Sequence, residues 1–163
     1  MPMPFHMITE GETQGLISQG ACEMQGREDT ILCQELKHEV YIPHDLQSGL
    51  PTGKRVHKEL VVTKVFDKSS PKLYQALTSG ERMKSITLQF YRIDPTGFEE
   101  HYFTIKLTNA IIVSIRPWIP NALDVSKEGF THMEDISFTY RDIIWTWEPD
   151  GVESQDSWLV PRG

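Results

Sequence analysis

Residues 67–80, DKSSPKLYQALTSG, are the one stretch in which helix start and stop signals enclose an apolar face. Ser70 is suited to cap a first turn, Pro71 suits the first helical position because its missing N–H would have no partner there, and Gly80 offers a left-handed exit. The spacing predicts one short α-helix over residues 70–79. Leu73, Ala76 and Leu77 recur at intervals of three and four, with Tyr74 beside them, so this side must lie on something apolar. The rest of the chain carries the two-residue period of strands, which makes that surface a sheet.

Residues 5–9 alternate as a first strand, and residues 13–21 read as a turn into a second extended piece. In residues 31–42 (ILCQELKHEVYI) the even positions Leu32, Leu36, Val40 and Ile42 predict a core side, while Glu35, Lys37 and Glu39 share a charged side. An edge strand would show a similar charged face. Residues 43–53 (PHDLQSGLPTG) hold two prolines and two glycines and are expected to be a loop, a binding surface or a mobile connection. Residues 55–66 start polar and end in Leu60, Val61, Val62, Val65 and Phe66, a strand expected to finish buried on both sides.

The next pattern is regular. Ile86, Leu88 and Phe90 alternate with polar residues, Asp94-Pro95-Thr96-Gly97 supplies a turn, and His101, Phe103, Ile105 and Leu107 alternate back, which predicts a β-hairpin. Residues 109–116 are apolar on both faces and are expected to end at Pro117 and Pro120, before a second loop over residues 120–129. In the last segment Ile136, Phe138 and Tyr140 point one way while Ile143, Trp145 and Trp147 have the opposite parity. A β-bulge near Arg141 and Asp142 would reconcile the two. The sum is about eight strands and one helix, and the cost of open edges favours closure into a small barrel of paired antiparallel sheets.

At 163 residues the chain is expected to be one domain over residues 1–158, with residues 159–163 (LVPRG) reading as an engineered tag remnant. A net charge of −7 argues against nucleic acid or an anionic membrane as partner. No run of apolar residues is long enough for membrane insertion as a helix, and the N-terminus has no signal-peptide pattern, so cytoplasmic synthesis is expected. Cys22 and Cys33 lack the spacing of a zinc site and read as free thiols.

Catalysis finds little support. No HExxH motif occurs, no nucleophile elbow, and neither phosphate-binding glycine pattern. The expectation is no enzyme, no cofactor and no metal. One alternative is a small metal-dependent enzyme using His101, His132 and Glu134; another is a glycan-binding barrel with Trp118, Trp145 and Trp147 as a stacking platform, although tryptophans alternating on strands are more often core or subunit contacts.

Four ordered blocks carry a resemblance: PTGKRVHKEL at 51–60, KSSPKLYQALTSGE at 68–81, LTNAIIVSI at 107–115, and MEDISFTYRDIIWTWEPDGVESQDSW at 133–158. Together the chain resembles the Hcp (haemolysin-coregulated protein) family, the tube component of type VI secretion systems. The resemblance implies a mainly β, barrel-like protomer with one helix that assembles into a homo-hexameric ring. It implies that rings stack into a tube, that sheath and spike components are partners, and that effector proteins ride in or are chaperoned by the lumen. It also implies export from the cytoplasm without a cleaved signal peptide, and no cofactor. It assigns the 43–53 loop to contact with a neighbouring ring, with Asp45, Gln47 and Leu50 as candidates, and the charged face of the 31–42 strand to the lumen, with Glu35, Lys37 and Glu39 as candidates for cargo contact.

Overall fold

The computed structural model describes residues 3–158; the expected tag remnant at 159–163 lies outside the described residues. The chain is mainly β. Six of its strands close on themselves: β1 (Phe5–Gly11), β3 (Ile31–Lys37), β6 (Leu60–Val65), β9 (Met133–Thr139), β8 (Glu99–Trp118) and β7 (Arg82–Ile93), with β7 returning to β1, every neighbour antiparallel. Closure leaves none of these six with a fully free edge. Outside it, β2 (Gly15–Leu16) pairs with β1, β4 (Val40–Tyr41) pairs with β5 (Val56–His57) as a separate ribbon, and β10 (Asp142–Trp147) with β11 (Val152–Ser157) extends the sheet from β8.

The regular hairpin forms as its alternation requires. Ile86 faces Leu107, Leu88 faces Ile105 and Phe90 faces Phe103. At the turn, Asp94 Oδ1 accepts from the N–H groups of Thr96 and Phe98 at 2.9 and 3.0 Å, and Gly97 takes φ +91°. The strand does not stop at residue 108. It continues through Pro117 to Trp118, where Met133 of β9 pairs with it.

The parity conflict resolves as a break between two strands, which corrects the expected bulge. β9 ends at Thr139, β10 starts at Asp142, and Tyr140 and Arg141 carry the corner. Strand β8 pairs with β10 over residues 103–108 and with β9 over residues 111–118. Between these stretches Asn109 adopts φ +50°, the left-handed region that Asn tolerates better than most residues. One long bent strand therefore belongs both to the barrel and to the outer hairpin.

Strand β3 departs from the expected single strand over 31–42. Ile31 and Cys33 are fully buried, the register shifts between Cys33 and Glu35, and only then does Leu36 turn toward the core. An inserted residue in one strand reverses the faces beyond it. Val40 and Ile42, expected inside, are exposed on the ribbon.

Strand β6 holds a second correction. Phe66, expected to be buried, is exposed, while Lys64 is fully buried. The same two-residue step that places Leu60 and Val62 inside places Lys64 inside, and Glu134 is its register partner on β9. Lys64 Nζ lies 2.5 Å from Glu134 Oε1 and 3.0 Å from Asp67 Oδ1, and it donates to Ser70 Oγ at 3.1 Å. Ser70 Oγ in turn donates to Glu134 Oε1 at 2.8 Å.

Helix α1 (Ser70–Ser79) matches its expected span, with Gly80 at φ +69° as the exit. Its start differs: Ser69 occupies the cap position without a side-chain cap bond, and the Ser70 hydroxyl is committed to Lys64 and Glu134. Leu73 and Ala76 are buried with the barrel residues Met7, Leu88, Leu107, Ile136 and Phe138. Both cysteines are free, Cys33 buried and Cys22 half-buried.

Replacing Lys64 by Ala strands Glu134 as an uncompensated buried charge and should cost about 3–5 kcal/mol. Urea unfolding followed by tryptophan fluorescence measures this. The double substitution Lys64→Met with Glu134→Leu should recover most of the loss, since both charges leave together.

Candidate assembly surfaces

Between β3 and β6 the chain leaves the barrel as an arm. Val40 pairs with His57, Tyr41 with Val56, and an isolated bridge joins His44 to Pro51. Thr52 N–H donates to Pro43 O at 2.8 Å, Asp45 N–H to Leu50 O at 2.9 Å, and Gly49 N–H to Asp45 O at 2.8 Å. The expected loop is thus a ribbon with its own hydrogen bonds, which prolines interrupt without ending.

Asp45, Gln47 and Leu50 all sit at its tip. The Asp45 carboxylate accepts the Gln47 N–H at 2.8 Å and is partly spent on shaping the turn. Leu50 is 65% exposed and the adjacent Leu46, which sequence reasoning did not single out, is 93% exposed. Along the limbs Val40, Tyr41, Ile42 and Val56 are exposed as well. Apolar side chains collected on one projecting element mark a contact surface rather than scattered surface noise.

The arm is braced at its root by a polar network that the sequence reading missed. Arg55 donates to Asp156 of β11 through Nε at 2.7 Å and Nη2 at 2.9 Å, and through Nη2 to Ser157 O at 2.7 Å. His57 Nε2 lies 2.8 Å from Asp156 Oδ2, and His57 Nδ1 lies 2.7 Å from the Tyr140 hydroxyl. His38 Nε2 reaches that hydroxyl from the other side at 2.9 Å. An ionised carboxylate only accepts, so His57 donates to Asp156 through Nε2. Trp158 stacks on His57 with centroids 5.7 Å apart and covers the network.

The electrostatics follow. The Arg55 guanidinium, with His57 and against burial, holds the Asp156 carboxyl well below the usual range. Burial, reinforced by Asp156, pushes the Tyr140 phenol up, and burial with the neighbouring His57 pushes His38 down. Basic residues of the arm and an acid of the last strand lie about a hundred positions apart, and no local spacing rule connects them. Only the inward parity of Tyr140 was legible beforehand.

The three residues of the charged strand face do not form one stripe. Glu35 and Lys37 lie on the same side of β3, exposed and 3.3 Å apart as an ion pair. Glu39 lies past the strand end and pairs with Lys58 of the returning limb at 3.1 Å, while its carbonyl accepts the Lys58 N–H at 3.0 Å. With Lys58 included, the patch balances its charges.

The residues of the metal-enzyme alternative are separately engaged: His101 Nε2 bonds Thr104 Oγ1 at 2.7 Å, His132 packs by Phe66, and Glu134 belongs to the Lys64 cluster. Among the described residues no group of three or more His, Cys, Asp or Glu is placed to hold a metal ion. Of the tryptophans, Trp145 packs against the core, Trp147 lies edge-on to Tyr102, and Trp118 donates to Asp135 at 3.0 Å. They do not make a common platform.

Asp156 tests the root. Its folded carboxyl titrates below an unfolded value of about 4, so it stabilises fully above that value and the contribution is lost as pH falls through the folded one. Asp156→Asn should therefore lower the urea midpoint at pH 7. The gap between variant and parent should close as pH drops below about 4, in urea titrations run in parallel across pH.

Comparison with known proteins places these features. The model of the family described as "Type VI secretion system effector, Hcp" matches residues 7–147. A "Major exported protein" of Pseudomonas aeruginosa is 47% identical over 169 residues, covering 99% of this chain and 98% of the relative. A crystal structure of an Hcp protein superposes with TM-score 0.90 at 40% identity, covering 96% of this chain and 98% of the other. The secreted protein Hcp3 of P. aeruginosa superposes with TM-score 0.79 at 41% identity, covering 94% and 99%.

Proposed function

This chain belongs to the Hcp family of type VI secretion tube proteins, and from that premise we propose that it acts as a hexameric ring subunit whose rings stack through the arm and carry effector proteins in the lumen. The family is structural, and the chain is no enzyme. The single observation that carries the stacking part is the arm. It projects from the barrel between β3 and β6, its root is held by Arg55 and His57 on Asp156, and it presents Leu46 and Leu50 without cover from the rest of the described chain. A braced element loses little conformational freedom on docking, so more of its apolar contact becomes net affinity.

Asp45, Gln47 and Leu50 are the stacking residues in this reading, and Glu35, Lys37 and Glu39 face the cargo. A charge-balanced lumen patch suits passage of varied proteins, because a strong field of one sign would select among them. The exported relative supports export of this chain, and in this reading it is made in the cytoplasm and leaves with the contractile apparatus. Sheath and spike components are the partners that such a tube requires.

Replacing residues 43–53 by a short Gly-Ser turn should leave rings intact and abolish or weaken their stacking, as negative-stain images and light scattering would show. Loss of the ring itself would make the arm an intra-ring element instead. Lys37→Glu should preserve assembly and change the amount of effector retained in a pull-down. If that variant fails to form rings, the lumen assignment of this face is wrong.

A further inference from the structure

Where β7 begins, β8 bends at Asn109 and the chain turns from β9 to β10, a cavity of about 490 Å³ opens to solvent. Its polar lining consists of Arg82, Asn109, Thr139, Arg141, Trp158 and Tyr140, whose hydroxyl is already held by His38 and His57. Apart from Tyr140, none of these side chains makes a hydrogen bond or ion pair within the described residues. No carboxylate lines the cavity, although acids outnumber bases by seven in the chain. Two guanidiniums supply up to ten N–H donors, and the amide and indole add more, so the site is rich in donors and carries two uncompensated positive charges. Its chemistry asks for carboxylates, and the apolar walls from Ile111 and the Trp158 ring leave room for the backbone that bears them.

The complementary surface lies at the other end of the same outer hairpin. The turn joining β10 to β11 carries Asp150 and, three residues later, the start of β11 carries Glu153, both exposed and both without an ion pair or hydrogen-bond partner among the described residues. Glu148, at the start of that turn, is already held by Thr104. Asp142 pairs with Ser157 at the cavity end and Trp147 with Val152 at the turn end. At about 3.3 Å per residue, the acidic turn stands roughly 15–20 Å from the arginines of its own copy, too far to fill its own cavity. A second copy can supply it.

We propose that the Arg82/Arg141 cavity receives the Asp150 and Glu153 carboxylates of a second copy of this chain, as the head-to-tail contact that builds the ring. The contact uses two different patches, so each copy keeps one of each free for the next neighbour, and the series closes when the rotation between copies permits. Arginine forks match carboxylates in bidentate geometry, which fixes orientation as well as attraction. This inference rests on the tube reading above and names the surfaces that close its ring.

The test uses the full chain and two double variants, Arg82→Glu with Arg141→Glu and Asp150→Lys with Glu153→Lys. All four residues are exposed, so circular dichroism and thermal midpoints should stay near those of the parent. Light scattering after size exclusion, with negative-stain imaging, should show each variant alone as protomers. An equal mixture of the two should restore rings, because each reversed cavity then meets a reversed turn. The milder pair Arg82→Gln with Arg141→Gln should raise the concentration needed for half-assembly by about tenfold or more, and it serves as the readout if a reversal disturbs the barrel. Rings that persist in either reversed variant, or a mixture that stays protomeric, overturn the cavity contact while parent rings leave the tube reading intact. A parent chain that is protomeric at every concentration overturns the tube reading itself.

Discussion

The fold turns on one buried cation. Lys64 sits at full burial where β6, the start of α1 and β9 meet, and its ammonium is shared among Glu134, Asp67, Ser70 and the Val65 carbonyl. A charge so placed is tolerated only when the surrounding groups satisfy it, and here they come from β9, from the start of α1 and from the segment that joins β6 to it. Asp67 Oδ1 also accepts the Ser69 N–H at 2.9 Å, so the network sets the start of the helix, taking over work that a side-chain cap would do elsewhere. The helix then lays Leu73 and Ala76 on the barrel, and β9 is tied to β6 in a single register.

A second constraint is geometric. A closed six-stranded barrel has no free edge, so the outer β10–β11 hairpin depends on a strand that changes partners. Strand β8 does this at Asn109, leaving β10 for β9, and the chain answers with the corner at Tyr140 and Arg141. That corner gives rise to the outer β10–β11 hairpin, to Asp156 beneath the arm and to the cavity lined by Arg82 and Arg141. The outer hairpin, the brace beneath the arm and the arginine cavity are thus consequences of one bend.

Much of this was legible in the order of residues. The helix span, the hairpin register and the existence of a fault after Tyr140 followed from periods of 3.6 and 2, from the Pro71 and Gly80 signals and from the turn residues 94–97. The fault's nature was not legible, since a reversal of parity reads the same whether it comes from an inserted residue or from a change of partner strand. Lys64 shows a neglected signal: with Leu60 and Val62 inward, the step of two already placed it inside, and Glu134 held the same relation to Ile136 and Phe138. Two opposite charges at inward positions point to a buried pair. β11 escaped notice because VESQDS is almost wholly polar, as suits an exposed outermost strand.

The sequence by itself determined which segments are extended, where the one helix begins and ends, and the family to which the chain belongs, because those depend on neighbours within a few residues and on ordered blocks of identity. The tertiary structure alone decided that the Pro- and Gly-containing segment is a paired arm, that Arg55 and His57 meet Asp156, and that two unpaired arginines share one cavity. Those outcomes depend on groups up to a hundred residues apart. Their meeting is set by strand pairing and barrel closure, whose geometry no local pattern encodes.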